Sequence, residues 1–231
     1  MKILEITSYI GCSNNCHYCP QSVLLSAYGH DKREMSMGDF MEILKNVPKD
    51  VWIDFSGFSE IFCHPYGADL ILYAYEAGYR VVLYTTLVGI NSGDLIKLRG
   101  VKLDEVCFHQ YPGADLKDLK RKVSLFEAQV QKGRLAVIDS TNIWTRASNL
   151  KPVKELRGEY HCLFADKDFN HNVVLPNGDV YLCCNDYGLK HRLGNLFTHS
   201  FDELNRRYVK DASRTFEMDS LCRFCELAQK E

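Results

Sequence analysis

Residues 3–20, ILEITSYIGCSNNCHYCP, contain the pattern that decides the fold. The apolar and β-branched residues 3–9 predict a strand, which runs directly into a loop that carries Cys12, Cys16 and Cys19. In α/β sheets, loops that follow the strands lie at the carboxyl edge, where active sites are built. The stretch therefore predicts an α/β protein with a functional cysteine loop after its first strand.

The spacing of these three cysteines distinguishes two kinds of metal site. A structural zinc ion takes four ligands, commonly from paired CxxC units. Three thiolates in a CxxxCxxC loop instead suit three irons of a [4Fe–4S] cubane, which leaves the fourth iron without a protein ligand. The spacing favours such a cluster over zinc or unrelated thiols, and Tyr18 is placed to cover it.

Apolar runs alternate with helical patterns up to residue 141. The predicted strands are 3–9, 51–55, 80–86, 105–110 and 134–138, and the predicted helices are 36–47, 69–76, 92–98 and 115–132. Five strands separated by four helices imply a parallel sheet with right-handed crossovers. A complete eight-fold barrel needs about 250 residues by itself. We therefore expect a partial (β/α) TIM-like barrel of five parallel strands and four helices.

The pattern changes in the last third of the chain. Residues 172–182 place Pro-Asn-Gly-Asp between two β-rich runs, which predicts a hairpin. A helix is expected over 200–208, with Ser200 and Glu203 spaced as in a capping box. These features divide the chain into a partial barrel over 1–150 and a small cysteine-rich domain over 151–231.

A second group of cysteines lies in that smaller domain. Cys162, one of the adjacent pair Cys183 and Cys184, and the C-x-x-C of Cys222 and Cys225 offer four thiolates for one site. A C-x-x-C after a hairpin is also typical of zinc ribbons, so zinc and an iron–sulfur cluster both remain open at this point. A cluster with four thiolate ligands has no open iron, which suits it to electron transfer.

Composition and charge argue against two classes of protein, those that bind nucleic acid and those that enter a membrane. The formal net charge of −2 gives no reason to expect nucleic-acid binding, which normally needs a basic face. No stretch approaches the roughly 20 apolar residues that span a bilayer, and the N-terminus has no signal-peptide pattern. We expect a cytoplasmic protein without membrane contact, in which cysteines serve as metal ligands or core residues rather than disulfides.

The loop GCSNNCHYCP resembles the signature of the radical S-adenosylmethionine (SAM) superfamily. The resemblance implies that SAM chelates the open iron and that an electron from the cluster releases a 5′-deoxyadenosyl radical. It also implies SAM contacts at the ends of the second and third strands, by Gly57, Phe58, Ser59, Glu60, Thr85 and Thr86. The first four positions match the family's Gly-Gly-Glu-like motif only in part. These residues could alternatively cap the strand ends.

The smaller domain resembles the twitch domain, a short form of the SPASM domain that holds an auxiliary [4Fe–4S] cluster. The family pattern Gly-x-Val-x-x-Cys matches Gly178, Val180 and Cys183, which favours Cys183 over Cys184 as a ligand. The resemblance implies Cys162, Cys183, Cys222 and Cys225 as the ligands and favours iron–sulfur over zinc. An auxiliary cluster would accept an electron from a substrate radical, giving a two-electron oxidation.

Among twitch enzymes the chain is similar to the 2-deoxy-scyllo-inosamine dehydrogenases. That likeness implies a radical SAM oxidoreductase acting on a small sugar-like or cyclitol alcohol, with Arg146 beside the substrate. Asn185 stands where those enzymes carry an acidic substrate contact, which argues against an amino-bearing substrate. His109, at the end of the fourth strand, is a candidate proton acceptor because histidine has a suitable pKa.

Two other functions stay open. Many SPASM and twitch enzymes modify ribosomal peptides, so a peptide substrate is possible, although only eleven residues precede Cys12 and leave no room there for a peptide-recognition domain. A non-catalytic iron–sulfur or zinc protein would not need Glu60 and the two threonines. For the enzymatic functions the resemblance implies an electron donor such as flavodoxin or ferredoxin.

Overall fold

The structure is a computed structural model that describes residues 2–14, 16–110, 113–138, 145–158, 160–162, 172–212 and 221–230. Its strands are β1 Ile3–Ile6, β2 Trp52–Phe55, β3 Val81–Thr85, β4 Glu105–Gln110, β5 Arg134–Val137, β6 Tyr160–Cys162, β7 Asn172–Val174, β8 Asp179–Tyr181, β9 Arg192–Asn195 and β10 Ala228–Lys230. Its α-helices are α1 Gln21–Ala27, α2 Met37–Lys45, α3 Gly67–Glu76, α4 Ser92–Lys97, α5 Leu116–Gln129 and α6 Phe201–Ala212. Short 3₁₀ turns lie at Ile61–Cys63 and Leu221–Phe224.

Eight strands form one sheet in the order β5-β4-β3-β2-β1-β7-β8-β9. The first five pair in parallel, which confirms the predicted partial barrel. The hairpin β7–β8 was predicted, and β7 adds to the same sheet by pairing in parallel with β1. The short helix α1, directly after the cysteine loop, was not predicted.

Side chains alternate between the two faces of the parallel strands, as the strand period of two requires. One face belongs to the main hydrophobic core, where it packs with residues of α2, α3, α4 and α5. Its strand residues are Leu4, Ile6, Ile53, Phe55, Val81, Leu83, Val106 and Phe108. The opposite face carries polar side chains, including Glu5, Asp54, Tyr84 and His109, and these border a cavity. The apolar face holds the sheet together, and the polar face forms the site.

Two helix starts form as the sequence predicts. Ser36 accepts a hydrogen bond from the Asp39 amide at 3.1 Å, and the Asp39 side chain accepts one from the Ser36 amide at 3.0 Å. Ser200 and Glu203 make the same reciprocal pair before α6. Such capping interactions are each worth about 1 kcal/mol. They fix the first turns of α2 and α6 from residues close in the sequence, and at α6 the Phe201 amide also donates to the Asn46 carbonyl oxygen at 3.1 Å.

The cysteine-rich region joins the rest of the chain through the large sheet, because its hairpin extends that sheet beside β1. Within the region, strands β6 and β10 pair antiparallel, with Cys162 opposite Ala228. The division into 1–150 and 151–231 therefore stays a prediction. None of the described helices has the length and apolar character needed to cross a lipid bilayer.

Candidate functional site

A cavity of about 560 Å³ lies over the polar face of the parallel strands. The residues that border it include every predicted member of the first cluster and of the SAM, substrate and catalytic sets: Cys12, Cys16, Cys19, Tyr18, Gly57, Phe58, Ser59, Glu60, Thr85, Thr86, His109 and Arg146. These residues come from the loops and ends of β1 to β4 and from the segment after β5. One cavity thus brings together all twelve predicted residues.

The thiols of the first loop share this cavity. Burial raises the pKa of Cys16 to about 12, Cys19 and Cys12 add to the rise, and a hydrogen bond with Tyr18 opposes it. Burial and the neighbouring thiols both disfavour the charged thiolate. Positive charge placed among the sulfurs would stabilise it. Three thiols of one loop beside a shared cavity are a donor set that suits irons.

Hydrogen bonds hold the loop against the neighbouring strand ends. Asn14 donates to Thr86 Oγ1 at 2.8 Å. The Gln21 amide donates to the Phe58 carbonyl oxygen at 2.6 Å and to Cys19 Sγ at 3.3 Å. These contacts fix the position of the thiols relative to the ends of β2 and β3.

Gly57 permits the tight turn after β2. Its φ of +45° lies in the left-handed region, and an added Cβ would come within 2.5 Å of Thr7 Oγ1 and 2.9 Å of the Ile6 carbonyl oxygen. Only glycine fits so close to β1 without strain. The close approach lets the Phe58 amide donate to Thr7 Oγ1 at 2.9 Å, so the turn is bonded to the first strand.

Glu60 joins the ends of β2 and β3. Its carboxylate accepts hydrogen bonds from the Thr85 hydroxyl at 2.6 Å, from the Thr86 amide and hydroxyl at 2.6 Å each, and from the Phe62 amide at 3.3 Å. Burial raises the pKa of Glu60, and these four bonds oppose that rise. Four bonds use all the lone-pair positions that a carboxylate offers. A further donor at Glu60 must therefore displace one of these four.

Arg146 reaches the cavity from a left-handed turn. Arg146, Ala147 and Ser148 have φ values of 52°, 49° and 66°, a conformation that costs non-glycine residues about 1–2 kcal/mol each. The Glu226 carboxylate anchors the turn by accepting hydrogen bonds from the Thr145 amide and hydroxyl. The backbone turn that carries Arg146 is therefore anchored by the segment that follows Cys225.

The groups around Arg146 keep it charged. Burial alone would lower its pKa, but Tyr187, Cys184, Cys19 and Glu5 together raise the pKa above its ordinary value. Arg146 is thus a fixed positive charge inside the cavity.

His109 is a neutral base in this cavity. Burial, reinforced by the positive charges of Arg146 and Arg134, lowers its pKa to about 4. Its ring lies edge-on to Tyr18 with centroids 6.5 Å apart and tilted against Tyr84 at 5.6 Å. The imidazole therefore has a lone pair available at neutral pH.

Members of the second cysteine group also lie together. Burial, followed by Glu226, Cys222 and Cys162, raises the pKa of Cys225 to about 12, against a backbone hydrogen bond from Leu227. The influence of Cys222 and Cys162 places three of the predicted thiols near one another. Within the described ranges, no three His, Cys, Asp or Glu side chains converge as a site for a single metal ion.

Asn185 connects Cys183 to that group. Its backbone amide donates to Cys183 Sγ at 3.5 Å, and its side-chain amide donates to Cys225 Sγ at 3.7 Å. Cys184 instead borders the cavity and lies close to Arg146. The two adjacent cysteines thus differ in position. Cys183 accepts a hydrogen bond from Asn185, which also contacts Cys225. Asn185, considered from the sequence as a substrate neighbour, contacts cysteine sulfurs.

Residues 162–226 match the SPASM family, which is described as an iron-sulfur cluster-binding domain. The whole chain is similar in structure to BtrN, solved in complex with AdoMet and 2-DOIA. The TM-score is 0.71 at 16% identity, over 100% of this chain and 93% of BtrN. The fold is that of the radical SAM enzymes with a SPASM domain.

Two further solved structures have a similar fold. Native anSMEcpe with bound AdoMet has a TM-score of 0.62 at 14% identity, over 98% of this chain and 86% of its own. SuiB of Streptococcus suis, bound to precursor peptide SuiA, has a TM-score of 0.57 at 13% identity, over 97% and 69% of the two chains. No curated protein sequence matches this chain significantly. The fold of the superfamily predicted from GCSNNCHYCP is confirmed.

Several residues of this radical SAM fold were missed by the sequence analysis. Tyr187 is buried, places its hydroxyl 3.5 Å from Cys19 Sγ and packs its ring 4.5 Å from that of Phe58. It lies in a loop without a recognisable pattern, and no local signal could have found it. Glu5 and Asp54 were also missed, although a carboxylate inside an apolar strand is a visible signal.

Proposed function

We propose that this protein is a radical SAM enzyme that oxidises a small, sugar-like or cyclitol alcohol by two electrons. The observation that carries the proposal is the single cavity that contains the three thiols, the Glu60–threonine cluster and the Arg146–His109 pair. Catalytic constellations of this kind lie at the carboxyl edge of parallel strands. The similarity to BtrN, whose structure contains AdoMet and 2-DOIA, supports the same activity.

The donor sets suit two iron–sulfur clusters. Cys12, Cys16 and Cys19 would hold the first, with one iron left for SAM. Cys162, Cys183, Cys222 and Cys225 would hold the second. When bound, the first cluster and SAM supply the 5′-deoxyadenosyl radical that removes a hydrogen atom, and the second cluster supplies a one-electron acceptor. The match of residues 162–226 to an iron–sulfur family supports the second assignment over zinc.

The turn after β2 and the end of β3 would bind SAM. Gly57, Phe58 and Ser59 bring the backbone close to the cavity, and Tyr18 lies beside Cys16. Glu60 would receive the SAM amino group in place of a threonine hydroxyl, because its carboxylate is fully used by Thr85, Thr86 and Phe62. The released hydroxyl would remain beside the ligand as a donor or acceptor.

Two side chains would act on the substrate. Arg146 presents a charged, forked donor that suits hydroxyl or carboxylate oxygens. His109 would accept the hydroxyl proton, since its lowered pKa of about 4 keeps the imidazole unprotonated at neutral pH. Because this pKa is low, the protonated imidazole would release its proton readily. His109 would therefore transfer the proton to solvent and would not retain it.

A second candidate function is modification of a peptide. SuiB was solved with a precursor peptide, and another structure of anSMEcpe contains the peptide Kp18Cys, with a TM-score of 0.61 at 15% identity to this chain. Both have the fold described above. An enzyme with a peptide substrate would use the same thiols and SAM contacts. Arg146 and His109 would then contact the peptide instead of a small alcohol.

The test is SAM cleavage by anaerobically reconstituted, chemically reduced protein. We expect release of 5′-deoxyadenosine by the wild type and none by Cys16→Ala. Cys107→Ala is the matched control, because Cys107 is a buried strand residue outside the cavity lining. Intact SAM in the wild-type reaction contradicts the enzyme assignment. Cleavage that is stimulated by a peptide and not by cyclitols or sugars favours the second candidate.

A further inference from the structure

Two hydrogen bonds reach the sulfur of Cys19 from different parts of the chain. The Gln21 side-chain amide, close by in the sequence, donates to Cys19 Sγ at 3.3 Å. The Tyr187 hydroxyl, from the loop between β8 and β9, lies 3.5 Å from the same sulfur. A thiolate ligand of a cluster carries no proton, so its sulfur accepts and both partners donate. Tyr187 would therefore donate a hydrogen bond to a cluster that it does not ligate.

Phe58 holds both donors in place. Its carbonyl oxygen accepts the Gln21 amide at 2.6 Å, and because a carbonyl only accepts, this bond fixes the nitrogen of Gln21 beside Cys19. The Phe58 ring packs against that of Tyr187 with centroids 4.5 Å apart. Tyr187 is 2% exposed and belongs to a small hydrophobic cluster that joins α1 to the β7–β8 hairpin. Close packing therefore holds the Tyr187 hydroxyl at Cys19.

The loop that carries Tyr187 begins at a predicted ligand of the second cluster. The Asp186 amide donates to the Cys183 carbonyl oxygen at 2.9 Å. The Tyr187 amide donates to the Asn185 carbonyl oxygen at 2.9 Å. Asn185 in turn donates to the sulfurs of Cys183 and Cys225, at 3.5 and 3.7 Å. One short loop thus contacts sulfurs of both cysteine groups.

A hydrogen bond to a cluster sulfur changes how easily the cluster is reduced. Reduction adds one electron, and part of the added negative charge lies on the sulfurs. A donor at a ligand sulfur stabilises the reduced cluster more than the oxidised one, which raises the reduction potential. Loss of such a donor therefore makes the cluster harder to reduce.

We propose that the Tyr187 hydroxyl sets the reduction potential of the first cluster by donating a hydrogen bond to Cys19. The inference rests on the proposed function and adds a residue of the second cysteine region to the machinery of the first cluster. The step concerned is a one-electron reduction, in which an external donor loses the electron, the cluster gains it and no bond breaks. Without the hydroxyl, less of the cluster would be ready to cleave SAM at a given solution potential.

The test is the midpoint potential of each cluster in reconstituted holoenzyme, measured by electron paramagnetic resonance at controlled solution potentials. The signal that is absent from Cys16→Ala identifies the first cluster. At the wild-type midpoint of that cluster, the ratio of reduced to oxidised cluster in Tyr187→Phe should be about tenfold lower, a shift of about 59 mV to more negative potential. The midpoint of the second cluster should not move.

Tyr79→Phe is the matched control. The Tyr79 hydroxyl is also buried and donates to the carbonyl oxygens of Leu44 and Val47 at 2.6 and 2.8 Å. Tyr79 is not among the described residues that border the cavity. The control loses buried tyrosine hydrogen bonds, so it should lose stability and keep both midpoints.

A second substitution at the same position reverses the expected sign. Replacement of Tyr187 by 3-fluorotyrosine, a stronger hydrogen-bond donor of nearly the same size, should raise the midpoint of the first cluster. This protein decides the question if Tyr187→Phe fails to hold the first cluster, because it keeps the hydroxyl and the packing against Phe58.

The outcomes separate this proposal from the proposed function. An unchanged or more positive midpoint of the first cluster in Tyr187→Phe overturns the role of Tyr187, and so does an equal shift in Tyr79→Phe. A lower or unchanged midpoint with 3-fluorotyrosine also overturns it. SAM cleavage is measured in the same preparations with excess dithionite. Its absence in the wild type contradicts the radical SAM activity, and the comparison of midpoints still tests Tyr187.

Discussion

The two cysteine groups differ in how the chain brings them together. Cys12, Cys16 and Cys19 lie within eight positions of one loop and border a cavity. The second group spans residues 162–225 and is gathered by the β6–β10 pair and by Asn185. The three thiols of the first group therefore face a possible ligand site. Among the described residues, the four predicted ligands of the second group do not border that cavity: Cys162, Cys183, Cys222 and Cys225.

Under the proposed function, this difference corresponds to two separate roles. Three thiolates leave an iron for SAM, whereas four complete a cluster that can only exchange electrons. Arg146 and Glu226 couple the two regions, because Glu226 follows Cys225 directly and anchors the turn that carries Arg146 into the cavity. Substitutions at each group should therefore have separable effects.

The largest effect is expected from Cys16→Ala. Loss of one of three thiolates should remove the first cluster, reduce the iron content from about eight to about four per chain and abolish SAM cleavage. Iron analysis and chromatography of 5′-deoxyadenosine measure both. A variant that retains cleavage contradicts the assignment of Cys16 as a ligand.

The second prediction separates two adjacent cysteines. Cys183→Ala should lose the second cluster, leave about four irons and reduce substrate oxidation by about a hundredfold or more, while SAM cleavage continues. Cys184→Ala is the matched control and should keep about eight irons. If the two variants exchange these phenotypes, Cys184 is the ligand.

A smaller effect is expected from Gly57→Ala. The new Cβ would meet Thr7 Oγ1 and the Ile6 carbonyl oxygen, so the turn must move and the unfolding free energy should fall by about 1–3 kcal/mol. SAM affinity should fall with it. Gly29→Ala is the control, because a Cβ there meets no atom within 4 Å. Equal stability and SAM binding in both variants would show that the turn is not constrained.

The smallest effect concerns pH and His109. Its pKa in the folded protein is about 4, below the ordinary value of 6.5, so the unfolded chain binds the extra proton between those values. Stability should therefore rise with pH across this window and be fully present above about pH 6.5. When the pH is lowered from about 7 to about 5, the unfolding free energy of the wild type should fall. The fall in His109→Gln should be smaller by on the order of 1 kcal/mol. Denaturant unfolding at the two pH values measures this, and identical losses contradict the lowered pKa.

Local patterns predicted much of the fold. The five parallel strands, the hairpin and the capping box at Ser200 follow from residues close together in the sequence. The first cysteine loop was predictable for the same reason. The addition of β7 beside β1 was not, because strand pairing between residues 4 and 172 depends on tertiary packing.

The site was predictable as a set of residues and not as a network. Glu60, Thr85 and Thr86 were each identified, but the four hydrogen bonds that join them are contacts between strand ends. Tyr187 and the Glu5–Asp54 pair depend on which side chains the sheet and the second region bring together. The separation of Cys183 from Cys184 likewise depends on Asn185 and could not be fixed by spacing.

Electron paramagnetic resonance of two reduced variants tests the central claim most directly. Cys225→Ala should retain only the first cluster and Cys16→Ala only the second. The account predicts that SAM changes the spectrum of Cys225→Ala and leaves that of Cys16→Ala unaltered, since only three-thiolate ligation leaves an iron for SAM. A spectrum of Cys225→Ala that does not respond to SAM, or one of Cys16→Ala that does, would contradict it.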